Sequence, residues 1–196
     1  MLKNTSEVTS RHLQLGVGLL FFDIKISDLG FGESVPESVG KLLNNGESFL
    51  GATRGGADFR AQPVVRQYRS DGYLFPEKSG AIVTGWNVEL SAEIVEFTPS
   101  LLGKILPDAV VDNQVQKVSR IGLAKVLNEQ YTENLIWAGD LSNGTLIAIE
   151  LRNVLNFGGI SIKTEFRESA LGVRFIPHAG DVFDVGQLPF EIYFLE

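Results

Sequence analysis

The chain contains no cysteine. Disulfides, cysteine-ligated zinc and thiol catalysis are therefore excluded. Histidine is almost as scarce. His12 and His178 stand far apart, with no metal-ligand spacing around either. No G-x-S-x-G occurs, and a serine triad would have to recruit one of those two histidines. The stretch Gly51–Gly56 (GATRGG) lacks the Gly-Lys-Ser/Thr ending of a phosphate loop, and the residues after it read as a strand, not a helix. No apolar run reaches the roughly 18 residues of a membrane span. The longest, Leu15–Phe22, is halted by Asp23, and nothing like a small-residue cleavage site comes after it, so no signal peptide is expected. Asn4-Thr5-Ser6 and Asn143-Gly144-Thr145 match the glycosylation pattern, which carries little weight without secretion. Basic residues are in deficit: 17 Lys and Arg face 24 Asp and Glu, a net charge of −7. That argues against binding nucleic acid by counterion release. It leaves room for a protein that lies close to DNA without holding it.

What is present suits a strand-rich domain. The 196 residues are enough for one domain with a real core. Twenty-one Gly, seven Pro and 13 Phe suggest many turns between packed strands. A mean hydropathy slightly above zero fits apolar surface that partners cover. The clearest pattern runs from Ile82 to Pro107. Trp86, Val88, Leu90, Ala92 and Ile94 alternate with Asn87, Glu89, Ser91, Glu93 and Val95, which predicts a strand with one packed and one polar face. The period then changes. Thr98 is a good N-cap, Pro99 fits the first helical position, and Leu101, Leu102, Ile105 and Leu106 share one helical face. Pro107 ends the helix.

The remaining chain is read around this unit. Residues 1–12 form a polar arm, and Leu13–Ser27 a strand in which Gly16 and Gly18 fit a bulge or close backbone approach. Residues 28–48 form a long loop. Its apolar members, Leu29, Phe31, Val35, Val39, Leu42 and Leu43, are expected to pack, for example against another subunit. Residues 49–72 carry strand signals, a turn or bulge at Gly55-Gly56, an edge or interruption at Pro63 and a hairpin signal at Asp71-Gly72. Ala109–Ala124 reads as a short strand and loop. Asn134–Leu141 and Thr145–Leu151 form the best hairpin, turning at Ser142-Asn143-Gly144. Further strands lie around Ile160–Phe166, Leu171–Phe175 and Phe190–Phe194, and Lys163, Glu165 and Arg167 read as a mixed-sign surface. The expected fold is mainly β: a single-domain antiparallel β-sandwich or open barrel of eight or nine strands with one flanking α-helix. The expected core includes Trp86, Val88, Leu90, Ile94, Leu101, Leu102, Ile105 and Trp137.

Glu89 and Glu93 invite a test as a catalytic pair. Four residues apart on one strand face, their Cα atoms lie roughly 13 Å apart. Glycosidase carboxyl separations run only to about 9.5 Å. The residues read better as a solvated face, or as a wall where negative charge is useful. No catalytic residue, metal or cofactor is expected.

The order of several stretches resembles the major tail (tail tube) proteins of long-tailed bacteriophages. They are LGVGLLFFDI, then LGATRGGADF, then GWNVELSAEIVEFTP running into a Leu-rich helix, then YTENLIWAGDLSNGTLIAIELRNVLNFGGISIKTEF and LPFEIYFLE. The resemblance spans residues 13 to 196 and is weakest from Ala109 to Gln130. It implies a non-enzymatic virion subunit, assembled in the host cytoplasm, that forms rings of six. The rings stack into a tube through which genomic DNA passes without specific binding. Implied partners are the chain itself and the tape-measure, tail-terminator and baseplate or tip proteins, with no membrane. Under this reading Asn87, Glu89, Ser91 and Glu93 face the lumen as an acidic wall, and the 28–48 loop bridges stacked rings. A tube of a phage-like contractile particle or injection system fits the same residues. A β-sandwich ligand-binding module, for instance for carbohydrate, shares the fold class, and a hydrolase is a weaker third.

Overall fold

The structure, a computed structural model, describes residues 15–26, 48–68, 80–96, 98–107, 109–112, 114–120, 130–141, 145–164, 169–178 and 188–195. The 1–12 arm, the apolar loop residues Leu29, Phe31, Val35, Val39, Leu42 and Leu43, and the turns at Asp71-Gly72 and Asn143-Gly144 lie outside the described residues. Ten strands and one helix occur in order: β1 (Leu15–Phe22), β2 (Phe49–Gln67), β3 (Ala81–Ile94), α1 (Pro99–Ile105), β4 (Ala109–Asp112), β5 (Lys117–Arg120), β6 (Thr132–Leu141), β7 (Leu146–Asn156), β8 (Ser161–Thr164), β9 (Ser169–Pro177) and β10 (Phe190–Leu195).

Six strands close an antiparallel barrel in the order β7-β6-β1-β2-β3-β9, with β9 returning to β7. The barrel is thus closed, not the open barrel or sandwich expected from sequence. Closure comes from the length of β7. Its first half, Leu146–Leu151, pairs with β10, and its last residues, Val154–Asn156, pair with Pro177–Phe175 of β9. The partner changes at Asn153, which adopts the left-handed conformation (φ 50°) that asparagine tolerates. The N–H of His178 is then 3.0 Å from the Asn153 carbonyl. β10 and β8 are left as the two ends of the sheet.

β2 is one 19-residue strand, longer than the sequence signals suggest. Two adjustments make this possible. Gly55 (φ 71°) and Gly56 (φ 87°) insert a two-residue bulge between the pairs Arg54–Glu93 and Ala57–Ala92. Pro63 falls where β2 has already lost its β1 neighbour, whose pairing covers only Phe49–Ala52, so the missing N–H breaks no ladder.

The inward residues of the barrel form the main core, including Leu20, Leu50, Leu90, Ile94, Leu135, Ile149, Leu171 and Phe175. Trp137 sits at its centre, fully buried. Its ring occupies the space beside Gly18, where an added Cβ would lie 2.4 Å from the indole, and beside Gly139. The indole Nε1 lies 3.4 Å from Thr53 Oγ1, and that hydroxyl also bonds the N–H and the carbonyl of Gly18 at 3.0 Å each. Glycine at position 18 is therefore a packing requirement. A second, outer cluster of Phe21, Ile24, Ile26, Ile136, Ala138 and Ala148 covers the other face of β6 and β7.

The helix forms as its caps dictate. Thr98 Oγ1 accepts from the Leu101 N–H at 3.2 Å, and Pro99 opens the first turn. Leu101 and Ile105 are buried and Leu102 packs half-buried beside them. The next stretch, expected as one strand and a loop, is a separate β4–β5 hairpin. It approaches the helix closely enough that a Cβ on Gly103 would meet Val111 at 2.5 Å.

Among the expected core residues, Val88, Leu90, Ile94, Leu101, Ile105 and Trp137 are buried. Trp86 is the correction. It remains 37% exposed because β3 has left the barrel at that point, with the Phe190 ring 5.9 Å away centroid to centroid.

Candidate functional site

Two surfaces of the long β2–β3 pair stand out. The first is the polar face around Asn87, Glu89, Ser91 and Glu93. Alternation places these residues outside the barrel, opposite Gln62, Arg60, Asp58 and Arg54 of β2 in register. Neither glutamate stands as bare negative charge. Arg174 of β9 grips Glu89 through both Nε, at 2.8 Å, and an Nη, and Arg60 lies 3.8 Å from the same carboxylate. Lys163 of β8 pairs with Glu93. That hydrogen bond, with the charge of the same lysine, holds the Glu93 carboxyl below its usual range.

The face expected to be acidic is therefore of mixed sign: four cations, Arg54, Arg60, Lys163 and Arg174, interleave with three anions, Asp58, Glu89 and Glu93. Lys163, expected as plain surface, belongs to it. Beside these pairs a shallow groove of about 530 Å³ runs over Gly55, Gly56, Gly158 and Gly172, with open space at Gly55. Arg54, Asp58, Glu93 and Arg174 rim it. Ser91 and Ser161 line it as well. A second hollow of about 430 Å³ lies over the start of α1, between Phe49, Glu96 and Lys104. His178 lines neither. Its ring stacks on Phe157 (5.6 Å) and meets Tyr131 edge-on (5.1 Å) at the barrel closure. Among the described residues no group of three His, Asp or Glu side chains is placed to hold a metal.

The second surface was not anticipated from sequence. Beyond the barrel, β2 and β3 continue as a two-stranded arm, still paired at Val65–Val83, Arg66–Ile82 and Gln67–Ala81. The Tyr68 N–H to Gly80 carbonyl bond, at 2.8 Å, extends the ladder further. Cross-strand partners share a face. The pairs Phe59–Leu90, Ala61–Val88, Pro63–Trp86 and Val65–Val83 thus form one stripe that starts in the core and runs out along the arm. At its outer end Val65 and Val83 are each 52% exposed, and Ile82, Val64 and Tyr68 are exposed as well. At its root the rings of Phe59 and Trp86 meet Phe190 of β10, at 5.4 and 5.9 Å. Ile192 and Phe194 lie beyond Phe190 on the same face of β10, and Phe194 is 65% exposed. The arm and the terminal strand therefore present one continuous apolar surface.

The sequence did carry a signal for this surface. Val64-Val65 and Ile82-Val83 are adjacent apolar residues that break the period-2 pattern, and adjacent residues on a strand point to opposite faces. Apolar side chains on both faces of a ribbon need cover on both.

Neither a protein-family model nor a curated protein sequence matches the chain. No helix among the described residues is long and apolar enough to cross a membrane.

Proposed function

We propose that this protein is a self-assembling structural subunit, and specifically a tail-tube subunit of a long-tailed bacteriophage or a related tail-like particle. The observation that carries the reading is the projecting β2–β3 arm. An isolated two-stranded ribbon is marginal in water. This one exposes Val64, Val65, Ile82 and Val83, and its apolar stripe continues the core. Beyond Ala52 the outer edge of β2 has no partner strand among the described residues, and the sheet also ends on β8 and β10. Unpaired edges and exposed apolar faces are liabilities in a monomer. Contacts between different surfaces of identical copies around a cyclic axis cover both.

The polar face supplies the second half of the reading. DNA sliding through a tube meets least resistance from a wall that offers phosphates no cation free to replace their counterions. With Asn87, Glu89, Ser91 and Glu93 facing the lumen, Glu89 and Glu93 serve less to repel DNA than to neutralise Arg60, Arg174 and Lys163 on the same wall. Negative-stain electron microscopy of the concentrated protein tests the proposal. Annular particles and open tubes are expected; a field of monomer-sized particles alone contradicts it.

A further inference from the structure

The seam between β7 and β10 places two glutamates directly opposite each other, Glu150 and Glu191. Like charges in that position destabilise a strand pair. Their surroundings differ sharply. Glu191 is partly exposed and held by the Arg152 guanidinium and the Tyr193 hydroxyl. Glu150 is only 3% exposed, beneath the outer apolar cluster formed by Ile24, Ile26 and Ile136. The groups facing it are few. The Tyr193 hydroxyl is 3.3 Å from its Oε2. The Asn134 amide of β6, oriented with its NH2 inward, is 3.2 Å from its Oε1. The Ile26 N–H donates to it, and Arg152 and Glu191 act at longer range.

A phenol has one proton. Tyr193 gives it to Glu191, so that hydroxyl can face Glu150 favourably only by accepting a proton from it. The nearby cation, Arg152, is likewise spent on Glu191.

We propose that Glu150 is kept as a neutral acid donating to Tyr193, and that losing this proton loosens β10, making the seam a pH-sensitive latch on the last strand of the sheet. Burial pushes the Glu150 carboxyl above its ordinary value of 4.5, while the Tyr193 and Arg152 bonds hold Glu191 below it. The signs are opposite. Above 4.5 the folded seam retains a proton at Glu150 that the unfolded chain has released, so attachment weakens as pH rises. Below 4.5 the seam must protonate Glu191, so attachment weakens as pH falls. β10 is thus held best between two flanks owned by different residues. Because β10 also carries Ile192 and Phe194, the latch sets how that apolar surface is presented to a neighbouring copy; this last consequence rests on the assembly reading.

The test uses dilute protein below any assembly threshold, so its outcome is independent of tube formation. Carboxyl-carbon NMR of glutamate-labelled protein tracks Glu150 directly, and hydrogen exchange tracks β10 amides against β6 amides as internal reference. Glu150 is expected to titrate above 4.5. Relative protection of β10 should fall by up to tenfold per pH unit from 4.5 up to that titration, the slope of one linked proton, and level off beyond it. In Glu150→Gln the fall should vanish, and in Glu191→Gln the acid flank should vanish instead. Titration of Glu150 at or below 4.5 overturns the proposal, whether or not the variants fold. An unchanged β10 profile in Glu150→Gln overturns it equally.

Discussion

The two halves of β3 carry one apolar stripe, re-phased by a bulge at Thr84, and end in opposite surroundings. From Val88 to Ile94 the inward residues lie inside the closed barrel, roofed by β6, β7 and α1, and Leu90 and Ile94 are fully buried. From Ala81 to Trp86 the same face continues into the arm, where Val83 is 52% exposed. Alternation assigns residues to faces. Whether a face is buried depends on what closes over it, and in the arm nothing among the described residues does. The difference separates what holds the fold together from what the proposed assembly would cover.

The comparison can be broken hardest at its buried end. Leu90→Ala should cost about 2–5 kcal/mol of unfolding free energy, measured in urea, because the closed barrel can collapse only partly around the cavity. The matching truncation in the arm, Val83→Ala, should stay within about 0.5 kcal/mol for the isolated subunit. Equal losses at both positions would mean that the arm is folded back onto the barrel in solution. Next in size is the joint between β3 and its helix: Thr98→Ala removes the cap on the Leu101 N–H and should cost about 1 kcal/mol.

The polar face should show the smallest effect on stability, since exposed pairs contribute at most about 1 kcal/mol. Its readout is DNA. Glu89→Gln with Glu93→Gln uncovers Arg174 and Lys163 while Arg60 keeps Asp58, so assembled tubes should retain DNA in a filter assay at low salt and release it as salt rises. Wild-type retention in the double variant would remove these glutamates from the DNA path. The lowered Glu93 carboxyl adds a pH dependence. Its ion pair with Lys163 contributes fully above pH 4.5 and is lost as pH falls below that value toward the lowered one, so acidification should mimic the substitution.

Sequence distance decides how much of this is legible without a structure. The β3–α1 unit is readable because its signals are local: a period of two, then Thr98-Pro99, then a period of 3.6. The close approach at Gly18 is readable as a glycine inside a strand, though not that Trp137 fills the space. The barrel closure is not readable, since it rests on three residue pairs between β7 and β9, which are set by where β7 changes partners. The charge pairing is hidden for the same reason. Glu89 and Arg174 are 85 positions apart, and Glu93 and Lys163 70, so the strand alone shows only its carboxylates. Glu150 does carry a visible mark: it is the single charge within the apolar run Leu146–Leu151. Its opposition to Glu191, across the seam with β10, is not visible in that run.

The central claim is that the apolar face of the arm is covered by another copy of this chain. Sedimentation velocity over a range of concentrations tests it most directly, comparing the wild type with the double variant Val65→Asp and Val83→Asp. The wild type should show concentration-dependent species larger than the monomer. The variant should remain monomeric with an unchanged urea midpoint, because both positions lie outside the barrel. Identical sedimentation of the two proteins would contradict the account.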